Sequence, residues 1–94
     1  MSQCFLYIIA ENEHGPVKLG FSNDPFKRVK QLQTGSNVVL KIFHTQEIEF
    51  KDRIKLEKLL HKAIKHYKVH GEWFSLSVND AKQEIDFVII RYTN

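Results

Sequence analysis

The sequence predicts a small mixed domain of the α/β (α+β) class, with a three-stranded, mainly antiparallel sheet flanked by helices. Three observations predict it. Phe5-Leu6-Tyr7-Ile8-Ile9-Ala10 and Val17-Lys18-Leu19-Gly20-Phe21 are two strand-like runs separated by a short polar turn. Later stretches carry apolar residues at helical rather than alternating spacing. The chain has 94 residues, which suffices for one core and not for a second. With 43% hydrophobic and 27% charged residues, its balance is that of a folded chain, not a disordered one.

The elements follow in order. Phe5 to Ala10 is β-branched and aromatic, as a buried strand requires. Glu11 to Pro16 is a turn ending in two breakers, Gly15 and Pro16. Val17 to Phe21 alternates, with Lys18 pointing away from Val17 and Leu19, so the two runs read as an antiparallel hairpin. Asn23 or Asp24 caps a first helix with Pro25 in its first turn, and Phe26, Val29 and Leu32 keep helical spacing. Thr34-Gly35 closes that helix with a left-handed residue. Val38 to Thr45 is a third strand. The longest helix is expected from about Phe50 to about Tyr67, with Ile54, Leu56, Leu59, Leu60, Ala63, Ile64 and Tyr67 as its apolar stripe. Gly71 stops the pattern, and Trp73 to Leu76 is a short extended segment. Ser77-Val78-Asn79-Asp80 fits a capping box that starts a last helix, ending near Arg91. No repeat, linker or low-complexity tract divides residues 1–94, so a single domain is expected.

Composition narrows the class of function. The longest early apolar run falls far short of the roughly 20 residues that a membrane span needs, and no export signal is read. The single cysteine, Cys4, excludes an intramolecular disulfide and a thiolate zinc site, which suits a reducing cytoplasm. The formal charge of +3 is unevenly spread. From Lys51 to Lys68 seven basic residues face only Asp52 and Glu57, while the rest of the chain is slightly acidic. A polyanionic partner follows as the expectation.

Several polar residues stand where a core alone would not need them. Tyr7 lies on the first strand, Lys18 on the second, Arg28 on the first helix and Glu57 on the long helix, with His61 one turn later on the same face. The pieces Leu6-Tyr7-Ile8, Lys18-Leu19-Gly20 and Asp24-Pro25-Phe26-Lys27-Arg28 stand in a characteristic order. Gln31-Leu32-Gln33-Thr34-Gly35, Leu56-Glu57-Lys58-Leu59-Leu60-His61 and Gly71-Glu72-Trp73-Phe74 continue it. Together they resemble the GIY-YIG nuclease superfamily, in its short phage-type or meiotically up-regulated-type branch.

The resemblance implies a GIY-YIG-like fold and a metal-dependent endonuclease that hydrolyses DNA phosphodiester bonds, using Mg²⁺ or Mn²⁺. By it, Tyr7 corresponds to the tyrosine of the first motif, Lys18 to the first tyrosine of the second and Gly20 to its glycine. Arg28 corresponds to the catalytic arginine and Glu57 to the metal-binding glutamate. The chain departs from the pattern in having no glycine before Tyr7 and a lysine at position 18. Some restriction enzymes of the superfamily share that lysine. A terminal asparagine motif of other branches is not evident; Gly71-Glu72-Trp73-Phe74 stands in its region.

The chemistry can also be stated from the residues. Phosphodiester hydrolysis needs an activated water, a stabilised pentacovalent charge and a neutralised leaving oxygen. Glu57 supplies a hard oxygen ligand, and one carboxylate suffices because magnesium keeps several waters. Arg28 offers a fixed fork of donors to the non-bridging oxygens. Tyr7 would be the general base, for which its pKa must fall. Lys18 either causes that fall or holds the scissile phosphate, and both stay open. His61 either touches the phosphate or base, or seats Glu57. Lys27, Lys30, Lys58, Lys62 and Lys65 are candidate contacts to the nucleic-acid backbone, without sequence information.

Each residue also has a plainer reading: a core tyrosine, a solvated lysine, a surface arginine, and a helical charge pair between Glu57 and Arg53. His66 and His70 are read as surface histidines, Trp73 and Phe74 as packing residues, and Glu72 as a poor second metal ligand. One site cuts one strand, so a double-strand break would need a homodimer, two sequential encounters or fusion to another module; sequence specificity is expected to be modest or supplied by a partner. The same fold could also serve as a catalytically silent nucleic-acid-binding module or as a protein-interaction factor.

Overall fold

In the computed structural model, which describes residues 3–93, the chain runs β1 (Gln3–Ala10), β2 (Val17–Ser22), α1 (Pro25–Thr34), β3 (Lys41–Glu49), α2 (Arg53–Ile64), β4 (Lys68–His70), β5 (Trp73–Phe74) and α3 (Val78–Thr93). Short 3-10 turns, Phe50–Asp52 and Lys65–Tyr67, flank α2. The mixed α+β class is as expected, but the sheet has five strands in the order β3-β1-β2-β5-β4, every neighbouring pair antiparallel. Trp73 and Phe74 pair with Lys18 and Val17 of β2 and with β4 on their other side, so the extended segment is an inner strand and β4 forms the edge. The third strand begins and ends later than expected, at Lys41 and Glu49.

β1 lies between β3 and β2, and its alternation divides the molecule. Cys4, Leu6, Ile8 and Ala10 join Val17, Leu19, Phe21 and Phe74 in one core. Leu56, Leu60 and Ile64 of α2 and Val78, Ala81, Ile85 and Val88 of α3 cover that face. Burying such side chains contributes about 1.5–3 kcal/mol each. Tyr7 points to the opposite sheet face, where α1 lies and where Arg28 meets its hydroxyl. α2 and α3 run antiparallel, tied at one end by the Tyr92 hydroxyl donating to Asp52 Oδ1 at 2.7 Å.

α1 starts as the sequence predicts: Asp24 accepts from the Lys27 amide at 3.1 Å, with Pro25 in the first turn. Its closing residue Gly35 has φ −97°, so the expected left-handed cap is not formed. Instead the Gly35 amide donates to the Leu32 carbonyl and the Ser36 amide to that of Gln33. The expected long helix is shorter, because 3-10 turns tighten both ends, and α3, at 16 residues, is the longest. The buried stripe of α2 narrows accordingly: Ile54 is 66% exposed and Leu59 40%. Half of the expected capping box forms at α3: Ser77 Oγ accepts from the Asp80 amide at 3.0 Å. Ser77→Ala should cost about 1 kcal/mol of stability, measured by chemical denaturation. Among the described residues no helix is long and apolar enough to cross a membrane.

Candidate functional site

Gly20 sits directly opposite Tyr7 in the β1–β2 register. The absence of a side chain there lets the phenol lie flat across β2. A Cβ on Gly20 would stand 2.5 Å from the Tyr7 hydroxyl oxygen, 2.7 Å from its Cζ and 3.3 Å from Glu72 Oε1. One point above Gly20 is therefore reached by a phenol and a carboxylate at once. Arg28 Nε donates to the Tyr7 hydroxyl at 3.5 Å from α1. Lys18, two residues before Gly20 and on the same strand face, places its Nζ 3.5 Å from Glu72 Oε1 and over the Trp73 ring, 5.6 Å from its centroid. Three elements and one turn thus bring Tyr7, Lys18, Arg28 and Glu72 together.

Why these residues meet is visible locally. Alternation along β2 buries Val17, Leu19 and Phe21 in the core and turns Lys18 and Gly20 to the Tyr7 face. The capped start of α1 sets Arg28 one turn in, its amide donating to the Asp24 carbonyl at 3.0 Å. Gly71, at φ +56°, makes the tight turn between β4 and β5 that a side chain would strain. The Leu19 amide then donates to the Glu72 carbonyl at 3.1 Å, pinning that turn against β2.

The electrostatics differ from the simple expectation. Burial pushes the Tyr7 phenol above its ordinary value of 10.0; Arg28, by its hydrogen bond, opposes the rise, and the Glu72 charge adds to it. The expectation that Lys18 lowers this phenol is not met, since the Lys18 ammonium faces Glu72 and is not among the groups acting on Tyr7. Tyr7 is therefore an uncharged phenol at neutral pH. By NMR, its midpoint should lie above the ordinary phenol range, rise further in Arg28→Ala and fall in Glu72→Gln. Linkage sets the stability consequence: the raised folded value contributes stability that is whole below pH 10.0 and is lost as pH rises through the folded midpoint. Tyr7→Phe should flatten that alkaline loss, measured by thermal melts across pH.

α2 carries the other candidates. Arg53, Glu57 and His61 recur every fourth residue and are all half-buried, on a flank beside the buried Leu56, Leu60 and Ile64. Arg53 lines a surface concavity with Cys4, Phe21, Ser22 and Asn23 at the far end of β2. His61 packs against Phe74 of β5, ring centroids 6.0 Å apart. Glu57 lies between them along the helix. Burial holds the Cys4 thiol up, with Arg53 opposing and Glu57 adding, so both charges reach the first turn of β1. Arg53 also acts on Tyr7. The expected Arg53–Glu57 charge pair is not formed: neither residue makes an ion pair among the described residues.

The structure therefore gathers Tyr7, Lys18 and Arg28 over Gly20 and sets Glu57 and His61 on α2, beneath the sheet. Sequence reasoning missed two residues. Glu72 was read only as a poor second metal ligand, yet its carboxylate is part of the cluster. Arg53, expected only as a partner for Glu57, acts on Tyr7 through its charge. The candidate lysines are all exposed but divided, Lys27 and Lys30 on α1 and Lys58, Lys62 and Lys65 on or just after α2. Lys62 lines the groove toward α3. His66 and His70 are exposed, as expected.

For a divalent cation, the donor set is sparse. Among the described residues no group of three His, Cys, Asp or Glu side chains converges. Glu57, half-buried and without a charge partner, fits an ion that keeps its waters and takes phosphate oxygens, as Mg²⁺ does. Glu72 is already engaged by Lys18.

Comparison with known proteins adds lineage. The family model of the T5orf172 domain matches residues 4–89. The chain is similar to "Uncharacterized protein 460R" of Invertebrate iridescent virus 6, 30% identical over 83 residues. That match covers 85% of this chain and 38% of the viral protein, so the chain spans well under half the length of that relative. No solved structure matches.

Proposed function

The chain belongs to the T5orf172 domain family, and we propose that it is a GIY-YIG-type endonuclease hydrolysing DNA phosphodiester bonds with a divalent metal. One observation carries the reading: Tyr7, Lys18 and Arg28, from separate elements, come together on the Gly20 face of β2, where the missing side chain lets the Tyr7 ring pack close. Family membership supports it, since this family is associated with endonuclease-like domains.

The residues divide the work as follows. Arg28 keeps its Nη donors for the non-bridging phosphate oxygens while its Nε holds the Tyr7 hydroxyl. Tyr7, uncharged at neutral pH, orients the attacking water by hydrogen bonding, and becomes a base only as pH rises. Lys18 binds the phosphate as a compact charge. Glu57 would hold Mg²⁺ or Mn²⁺, and His61, one turn on, steadies that end of α2 against Phe74. Such a cation, when bound, supplies charge neutralisation at the leaving oxygen. The exposed lysines of α1 and α2 serve as contacts to the DNA backbone.

Incubation with supercoiled plasmid and Mg²⁺ or Mn²⁺ should yield nicked circles, one strand cut per site, and a chelator should stop the reaction. A silent binding module is the second reading, favoured by Tyr7 being only 1% exposed. Salt-sensitive DNA binding with an intact plasmid under both metals would establish it instead.

A further inference from the structure

The Lys18–Glu72 pair is lopsided. The Lys18 side chain is 10% exposed and that of Glu72 37%. An ammonium so enclosed needs an anion beside it, because an unpaired buried charge is costly. The carboxylate has a way out to water and the ammonium does not. Nor does Lys18 depend on Glu72 for its position, since its ammonium also rests over the Trp73 ring at 5.6 Å. Its neighbours in the register, Ile9 and Trp73, confine the stem on both sides.

Glu72 also stands where a ligand would. Its Oε1 lies 3.3 Å from the same point over Gly20 that the Tyr7 hydroxyl approaches to 2.5 Å. A phosphate oxygen binding Lys18 from this side would have to take the place of Glu72 Oε1, which the ammonium meets at 3.5 Å. Carboxylate and phosphate oxygens present the same charge and hydrogen-bonding chemistry, so one can replace the other against the same cations.

We propose that Glu72 is a placeholder for the substrate phosphate, pairing with the Lys18 ammonium until a phosphodiester displaces it into solvent. Glu72 thus sets the threshold for phosphate entry. The inference rests on the reading of this cluster as a phosphate site, and the test separates the two. A dianionic or diester phosphate gains the Lys18 contact only by breaking the Lys18–Glu72 pair, so removing the negative charge removes the competitor.

The test titrates the chain with inorganic phosphate, and separately with a short single-stranded oligonucleotide in chelator, followed by NMR. Glu72→Gln, which preserves shape, should bind both about tenfold more tightly than the wild type. Glu72→Asp, which keeps the charge but draws it back by one methylene, should fall between. Lys18→Gln should lose the gain, alone and combined with Glu72→Gln. Equal phosphate affinity in wild type and Glu72→Gln overturns the placeholder, whatever the plasmid assay shows. Tighter phosphate binding by Glu72→Gln with no nicking by any variant upholds it and removes the nuclease reading instead. Unchanged phosphate affinity together with nicking lost in Glu72→Gln overturns it too, and makes Glu72 a catalytic residue.

Discussion

Gly20→Ala should destabilise the chain by about 2 kcal/mol and reduce nicking to background, a large effect for one methyl group. The sign is informative because the backbone at Gly20 is not in the left-handed region. At such a strand position alanine would otherwise stabilise by roughly 0.5–1 kcal/mol relative to glycine. The cost comes from the close approach of Tyr7, whose hydroxyl oxygen and Cζ stand 2.5 and 2.7 Å from the added Cβ. The ring is 1% exposed and cannot slide away without disturbing its surroundings. Displacing it also takes the hydroxyl from Arg28. In a Tyr7→Leu background, where those atoms are gone, Gly20→Ala should be neutral or stabilising. A coupling of about 1–3 kcal/mol between the two substitutions, measured by denaturation, is the expected result. Additive effects would mean that the close approach does not set the cost.

Arg28→Ala should reduce nicking by about 10²–10³-fold, the usual loss when one positioned donor to a developing charge is removed. DNA affinity should fall far less, because in the proposed function the exposed lysines of α1 and α2 carry most of the backbone contacts. Arg28→Lys should recover little. It restores a charge but neither the fork that grips two phosphate oxygens nor the Nε bond to Tyr7. Nicking rates at saturating DNA, set beside binding isotherms, separate the two contributions. A parallel loss of binding and nicking would instead make Arg28 one more backbone contact.

The hairpin was legible because β1 and β2 alternate cleanly around a Gly15-Pro16 turn, and because Lys18 breaks the apolar pattern where the strand turns outward. The starts of α1 and α3 were legible because Asp24 and Ser77 cap in the ordinary way. β4 and β5 were not. Two or three residues carry no period, and Trp73 and Phe74 become strand only by pairing with β2. The breadth of α2's stripe was overstated because periodicity cannot show that 3-10 turns end the helix early, nor that Ile54 and Leu59 find no cover. In the site, Tyr7, Lys18 and Arg28 could be named from motif spacing. Glu72 could not, since its place depends on the Gly71 turn and on the backbone bond to Leu19. The raised Tyr7 pKa was equally hidden, because burial, a tertiary property, sets it first.

The proposed function requires Glu57, on α2, for nicking as well as the cluster of Tyr7, Lys18 and Arg28. Its most direct test compares wild type and Glu57→Ala for nicking of supercoiled plasmid in Mg²⁺, with melting temperature and DNA affinity measured on the same samples. The expected result is nicking by the wild type, lost in Glu57→Ala while melting and DNA affinity are unchanged. Equal nicking by both proteins, or an intact plasmid with the wild type, would contradict it.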